Sequence, residues 1–168
     1  LKIGENIYKT SIEDMGPAVE EQADLKPYTP GDNIAEIISF RILDVKGQEV
    51  SEIDHDEPLH IEVYYDVYDN SIKPPVLGIA VRGMDDDYVC GLNTLLDSIK
   101  IPWTKGRQKL ILNYPCGILA IGGNYYFDVA LYEETATVPI QYITMVKRFK
   151  IRSNYLGEGR YIIPHRWE

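Results

Sequence analysis

The residues best suited to chemistry lie in the stretch Gly122–Tyr132, where polar and apolar side chains alternate. Tyr126, Asp128 and Tyr132 share one side of this alternation with Ala130, while the opposite side is apolar. A period of two predicts a β-strand that is packed on one face only. Aromatic rings that stack on sugar C–H faces, beside a carboxylate that accepts hydrogen bonds from hydroxyls, would bind carbohydrate. The alternative is an ordinary half-exposed strand, because tyrosine favours strands in general.

A second predicted strand contributes small residues next to this polar face. Gly78 and Ala80 alternate with apolar residues and are followed on the same side by Arg82. Small residues in a row leave a shallow trough, and concave surfaces with aromatic and polar walls are typical of ligand sites. Equally, a loop or a partner sheet could cover the small residues. The candidate carbohydrate-binding residues are Arg82, Asn93, Tyr126, Asp128, Tyr132 and Tyr142.

The sequence favours a binding module over an enzyme. Asp66 and Asp128 could act as the two carboxylates of a glycosidase, but nothing in the sequence brings them together. The chain has neither a Gly-x-x-x-x-Gly-Lys-Ser/Thr phosphate loop nor a Ser, His and Asp arrangement typical of acyl transfer. The segment 54–57 with His60, and the segment 85–87, could bind metal, but solvated loops more often carry such residues. We therefore expect neither a cofactor nor a metal in this chain.

Charge and cysteine content narrow the class of protein. The 168 residues have a net charge of −9 and a pI of about 4.8. Binding to nucleic acid or to an anionic membrane needs clustered Lys and Arg, so neither is an expected partner. Cys90 and Cys116 are too few for a disulfide scaffold. We expect two small buried thiols, although one bridge between them stays open.

About seven strands follow one another at the spacing of an antiparallel sandwich, and no long segment has helical period. The predicted fold class is all-β, a two-sheet antiparallel β-sandwich of immunoglobulin-like or jelly-roll type with an extra C-terminal strand. Strand order places 76–82, 88–93, 123–132 and 142–151 in one sheet, and 34–44, 59–68 and 108–114 in the other. The apolar side chains expected to hold the sheets together include Tyr125, Phe127, Val129 and Leu131.

The two ends of the chain lie outside the predicted sandwich of residues 33–151. Residues 1–32 are poorly patterned and are interpreted as a linker or N-terminal extension. In the tail, residues 152–168, Tyr161, Ile162, Ile163 and Trp167 are costly to leave in water. We expect them to pack as a short strand on a sheet edge, within the chain or exchanged with a second copy.

Four segments together resemble one family over about residues 33–167. They are Leu77-Gly-Ile-Ala-Val81, Val89-Cys-Gly-Leu-Asn-Thr94, Gly122-Gly-Asn-Tyr-Tyr-Phe-Asp-Val-Ala-Leu131 and Gly159-Arg-Tyr-Ile-Ile-Pro-His-Arg-Trp167. Their order and spacing are similar to the C-terminal carbohydrate-binding domain of Wzt-type proteins, the ATPase subunits of O-antigen polysaccharide ABC exporters.

The resemblance implies a function that composition does not show. The domain would recognise the non-reducing end of a lipid-linked O-antigen polysaccharide, often through a terminal modification, without catalysis. It would act at the cytoplasmic face of the inner membrane as a homodimer. An upstream ATPase domain, missing here, would use ATP and Mg²⁺ and contact the transmembrane permease. The alternative is an immunoglobulin-like module that binds protein through its tyrosine face and does not bind glycan.

Overall fold

The computed structural model describes residues 25–168, so most of the predicted linker lies outside the described residues. Lys26 is nevertheless placed against the sandwich, because its N–H donates to the Ser71 carbonyl at 2.8 Å. The described residues include no helix long and apolar enough to cross a membrane. The strands are β1 (Ala35–Asp44), β2 (Glu52–Asp54), β3 (Leu59–Val67), β4 (Val76–Gly83), β5 (Tyr88–Asn93), β6 (Gly106–Tyr114), β7 (Gly123–Tyr132) and β8 (Pro139–Arg152).

Two sheets form the sandwich, and the predicted division of the strands between them is confirmed. One sheet has the order β1-β3-β6 and the other β2-β8-β7-β4-β5. Every pairing is antiparallel except that of β2, which runs parallel to β8. The sequence analysis missed β2, which lies in the segment interpreted as an acidic loop. Only Ile53 of its three residues is buried, so it is too short to show an alternation.

Phenylalanine rings join the two sheets at the centre of the core. Phe127 of β7 lies 5.2 Å from the ring of Phe40 in β1 and stacks at 4.6 Å on Phe149 in β8. The inward face of β7 is therefore the apolar face that the alternation predicted, since all four of its expected core residues are buried. The buried Tyr65 hydroxyl donates to the Pro102 carbonyl at 2.6 Å, whereas the buried Tyr114 hydroxyl has no hydrogen-bond partner among the described residues.

The C-terminal tail returns to the same chain. Tyr161 forms an antiparallel bridge with Ala120, and the Ile162 N–H donates to the Leu119 carbonyl at 2.8 Å. Ile162 is buried, but Ile163 and Trp167 are exposed, contrary to the expectation that all the apolar tail residues would pack. The contacts of the tail are confined to residues 160–162, where Arg160 pairs with Asp87 and the Tyr161 hydroxyl donates to the Val89 carbonyl, so Ile163 and Trp167 beyond them stay in solvent. Exchange of the tail with a second copy stays a prediction.

Both cysteines are free, and they differ in exposure. Cys90 is half-buried on β5, and burial raises the pKa of its thiol. Cys116 is exposed, so the prediction that both thiols are buried is wrong for this residue. Cys116 follows the end of β6 in a turn, where its strand has already left the core. Across residues 25–168, no group of three or more His, Cys, Asp or Glu is placed to hold a metal ion.

Candidate functional site

A depression of about 380 Å³ lies on the outer face of the five-stranded sheet. Its floor is made of small residues, because the pairing sets Gly78 opposite Ala130 and sets Ala80 opposite Gly91. Larger side chains at these four positions would fill the depression. The depression is therefore a consequence of residue size at matched positions on neighbouring strands. Its full lining also includes Ile79, Arg82, Tyr88, Leu92, Asn93, Leu96, Asp128, Val129, Tyr132, Ala136 and Tyr142.

The glycines on this floor have different roles. A Cβ atom at Gly91 would overlap the hydroxyl of Tyr88, whose ring lies across the strand, so Gly91 allows this ring to lie flat. A Cβ at Gly78 would meet the ring of Tyr132 at 3.7 Å, which is ordinary van der Waals contact. A Cβ would therefore fit at Gly78, which lines the depression, whereas the space above Gly91 is occupied by the tyrosine.

The Asp128 carboxylate organises the polar end of the depression. Its Oδ2 accepts from Arg82 Nε at 2.9 Å and from the Tyr142 hydroxyl at 3.0 Å, and its Oδ1 accepts from the Met145 N–H at 2.8 Å. The register of β8 shifts at this point, and Met145 has a φ of 52°. Asp128 therefore satisfies an N–H that the strand ladder leaves unpaired.

Arg82 is held by carboxylates on two sides. Partial burial disfavours the charged guanidinium and would lower its pKa. The bonds to Asp128 and Tyr142 have the opposite and larger effect, so the pKa of the guanidinium is raised. Its Nη1 also lies 3.6 Å from an Asp86 carboxylate oxygen, and its Cζ lies 4.9 Å from the centre of the Tyr88 ring. The cation is consequently fixed in position, as a ligand-binding group should be.

The polar face of β7 is less exposed than the alternation predicted. Tyr126, Asp128 and Ala130 are all buried, and only Tyr132 is half-buried. The irregular part of β8 and the β4–β5 turn cover this face. Tyr126 donates to Asp86 in that turn at 2.5 Å, which raises the pKa of the tyrosine to about 12.

The structure brings five of the six candidate residues into one lining. Arg82, Asn93, Asp128, Tyr132 and Tyr142 border the depression, and Tyr126 lies beside it without lining it. Tyr132 and Tyr142 meet edge to face at 6.4 Å. This placement leaves the binding role of each residue a prediction.

Residues that the sequence analysis did not select complete the walls. Tyr88 and Gly91 belong to β5 and could have been found from its pairing with Arg82 and Ala80. Leu96 lies in the turn after β5, where the Asn93 Oδ1 accepts the Leu96 N–H at 2.8 Å. No sequence pattern marks it as a site residue.

The loop between β7 and β8, residues 133–138, forms one rim of the depression through Ala136. Partial burial of Glu133 opposes its ionisation, but hydrogen bonds from the side chain and N–H of Thr135 and from the N–H groups of Thr137 and Val138 dominate. They lower the pKa of Glu133 from 4.5 to about 2. One ionised carboxylate thus holds the rim loop in shape, including Ala136 with its φ of 58°.

A solved structure with the same fold is a crystal structure of the C-terminal domain of Wzt. It is 15% identical in sequence, aligns with a TM-score of 0.70, and the alignment covers 85% of this chain and 92% of that chain. A β-glucosidase from Listeria innocua in complex with glucose aligns with a TM-score of 0.40 and 9% identity over 68% of this chain and 16% of that chain, and we base no inference on it. Among curated proteins, none matches this sequence.

The match to a family of sequences covers most of the chain. The family described as the Wzt C-terminal domain matches residues 26–163. This range begins before β1 and ends within the tail, so it includes both sheets. The resemblance seen in the sequence and the predicted sandwich fold are both confirmed. The chain therefore belongs to the Wzt C-terminal domain family, a non-enzymatic family associated with ABC transport of O-antigen.

Proposed function

We propose that this chain is a non-catalytic module that binds the non-reducing end of a lipid-linked O-antigen polysaccharide in the depression on the five-stranded sheet. The observation that carries the proposal is the combination of an open floor at Gly78 with the Arg82–Asp128–Tyr142 cluster beside it. A sugar needs a flat apolar surface next to fixed polar groups, and this depression supplies both. The family's association with O-antigen transport supports the same ligand class.

Backbone conformation adds support for a built site. Among the described residues, four non-glycine residues have positive φ, and three of them adjoin this face: Asp86, Ala136 and Met145. Alanine and methionine rarely adopt this conformation, and its cost is met only where surrounding contacts enforce it. Here the hydrogen bonds of Glu133 and Asp128 enforce it.

The contacts that such a site offers predict weak binding for one copy. Stacking on tyrosine contributes roughly 0.5–1.5 kcal/mol per ring and a net hydrogen bond about 1 kcal/mol, from which association costs are subtracted. We expect micromolar to millimolar dissociation constants. Pairing two sites in a dimer would raise the effective affinity without new contacts.

The proposed setting is an export complex at the cytoplasmic face of the inner membrane. An ATPase domain on the same protein would bind ATP and Mg²⁺ and contact a transmembrane permease. We propose a homodimer in which tail segments from two copies pack together. Ile163 and Trp167 support this arrangement, because they are 75% and 91% exposed in a single copy.

The test is a titration of the ¹⁵N-labelled chain with a panel of bacterial O-polysaccharides, followed by amide chemical shifts. We expect shifts that cluster on β4, β5 and β7. Tyr142→Ala should abolish them, whereas Tyr68→Ala should not. Tyr68 is a matched control, since it is 42% exposed on the other sheet and Tyr142 is 44% exposed. Absence of any glycan-induced shift in a folded protein, or equal loss in both variants, would overturn the proposal and favour the protein-binding alternative.

A further inference from the structure

One hydrogen-bond donor of the lining, the side-chain amide of Asn93, is left free. Asn93 lines the depression and uses its Oδ1 to accept the Leu96 N–H, and its Nδ2 has no hydrogen-bond partner among residues 25–168. The Arg82 guanidinium is already engaged by Asp128, Asp86 and Tyr142. Both oxygens of Asp128 already accept hydrogen bonds. A ligand atom that accepts a hydrogen bond would satisfy the Asn93 amide.

Charge excludes an anionic acceptor. Arg82 and Asp128 are the only charged residues in the lining that the structure describes. The guanidinium is neutralised by Asp128 and is also 3.6 Å from Asp86, so these three groups together carry a charge of −1. Like charge disfavours a carboxylate or a phosphate in a partly desolvated site. The acceptor that fits is neutral, such as a carbonyl oxygen.

Leu96, whose backbone N–H binds Asn93, contributes an apolar side chain to the same lining. Leu96 is 75% exposed, and it borders the depression together with Ala136 and Leu92. The hydrogen bond between Asn93 and the Leu96 N–H keeps donor and apolar side chain together. A chemical group that satisfies both has a carbonyl oxygen and a methyl group a few bonds apart.

We propose that this end of the depression selects an uncharged sugar bearing an acyl group, N-acetyl or O-acetyl. The carbonyl oxygen accepts from Asn93 Nδ2, and the methyl group packs on Leu96. The sugar ring extends over Gly78 towards Tyr132 and Tyr142. This inference rests on the proposed function and narrows it to a substrate class.

The test compares matched glycans on the intact chain. Terminal N-acetylhexosamines are paired with the parent hexoses and with the hexuronic acids, and O-acetylated polysaccharides are compared before and after mild alkaline de-O-acetylation. Loss of the acyl group should weaken binding about tenfold, from the lost methyl burial and hydrogen bond. The hexuronic acids should bind no better than the hexoses.

Two variants probe the acyl contacts. Asn93→Asp keeps an oxygen that accepts the Leu96 N–H, removes the donor and adds a negative charge, and Asn113→Asp makes the same change on the exposed face of the other sheet, which controls for the added charge. Leu96→Ser removes the apolar contact, and Leu95→Ser is its neighbouring control, 49% exposed and outside the lining. The first variant of each pair should remove the preference for acylated glycans, while the controls keep it.

The two proposals fail in different ways. Equal binding of acylated and unacylated glycans, or tighter binding of hexuronic acids, overturns the inference and leaves glycan binding in place. The same holds if the Asn93 and Leu96 variants retain the acyl preference. Absence of binding by every glycan overturns both proposals.

Discussion

The outer faces of the two sheets carry similar types of side chain, but the contacts among these side chains differ between the two sheets. On the three-stranded sheet, the Glu62 carboxylate lies between Arg41 at 3.3 Å and Lys109 at 3.5 Å, and Lys109 also covers the Tyr64 ring. Long flexible side chains lie across this face and neutralise each other. On the five-stranded sheet the neighbours of Asp128 are small or rigid, so the surface is concave and its cation is fixed.

The difference shows that one strand does not determine whether a polar face binds a ligand. β3 offers Glu62, Tyr64 and Asp66, much as β7 offers Tyr126 and Asp128. What differs is the pair of flanking strands. Those beside β3 supply long basic side chains, whereas those beside β7 supply glycine, alanine and a β8 segment with shifted register. The concave face is thus a property of three or more strands together.

Removal of each central carboxylate should give the largest contrast between the faces. Asp128→Ala leaves Arg82 Nε and the Met145 N–H without their acceptor, although Asp86 still faces the guanidinium, and we expect it to lower the free energy of unfolding by about 3 kcal/mol. Glu62→Ala should cost about 1 kcal/mol or less, because its partners are half-exposed and can turn to water. Urea denaturation of both variants measures the contrast. Equal losses would mean that both faces are ordinary ion-pair surfaces.

Filling the depression should affect binding and spare stability. Gly78→Leu places a side chain where a Cβ meets only ordinary contacts, and it replaces a glycine that disfavours strands. We expect glycan affinity to fall at least about tenfold, since the open floor is lost. The control is Asn113→Leu on the exposed face of the three-stranded sheet. Isothermal titration with an O-polysaccharide that the unmodified chain binds measures the affinity, and thermal melts measure the stability of each variant. If both variants bind with the same affinity, the site lies elsewhere.

Acid should distinguish two carboxylates, Glu133 and Glu49, by how strongly salt weakens their contributions to stability. The pKa of Glu133 is about 2 in the folded chain and 4.5 otherwise, so its contribution to stability is present above pH 4.5 and lost as the pH falls towards 2. We expect roughly 1 kcal/mol or less after solvent screening. The pKa of Glu49 is lowered by Lys147 and Arg41, which are charged partners. In about 1 M salt only the Glu49 contribution should weaken.

The measurement for this contrast is urea denaturation of Glu133→Gln between pH 5 and pH 2.5 or so, at low and high salt. Glu134→Gln is the neighbouring control, paired only with Lys73 in the part of the chain that the structure describes. A loss of stability in acid that persists unchanged in Glu133→Gln would show that another group is responsible.

Tyr126→Phe should have the smallest effect. Its hydroxyl bonds to Asp86 outside the depression, so its removal should lower the melting temperature slightly and leave glycan affinity unchanged. Titration of this variant beside Tyr142→Ala compares the two hydroxyls that flank Arg82. A clear loss of affinity in Tyr126→Phe would extend the site onto the β4–β5 turn.

Sequence alone predicted what local pattern controls. Alternation located seven of the eight strands, and their order predicted which sheet each joins. Only residue size at Gly78 and Ala80 indicated a trough. The burial of Tyr126 and Asp128 was not predictable, because it depends on the Asp86 turn and on Met145, both distant in sequence from β7. The role of Leu96 depends on a turn hydrogen bond for which no residue pattern is specific.

The irregular part of β8 has a consequence for how the chain tolerates changes in length. Phe127 pairs with Lys147 and Val129 pairs with Ile143, so β8 has two more residues than β7 between these two pairs. Because the number of extra residues is even, the side chains that face the core before the irregular part and those that face it afterwards stay on the same side of the sheet. Ile143 and Phe149 therefore both contact the core. Deleting one residue here would turn one half of the strand inside out. Insertions or deletions at this point should be accepted in twos and rejected singly.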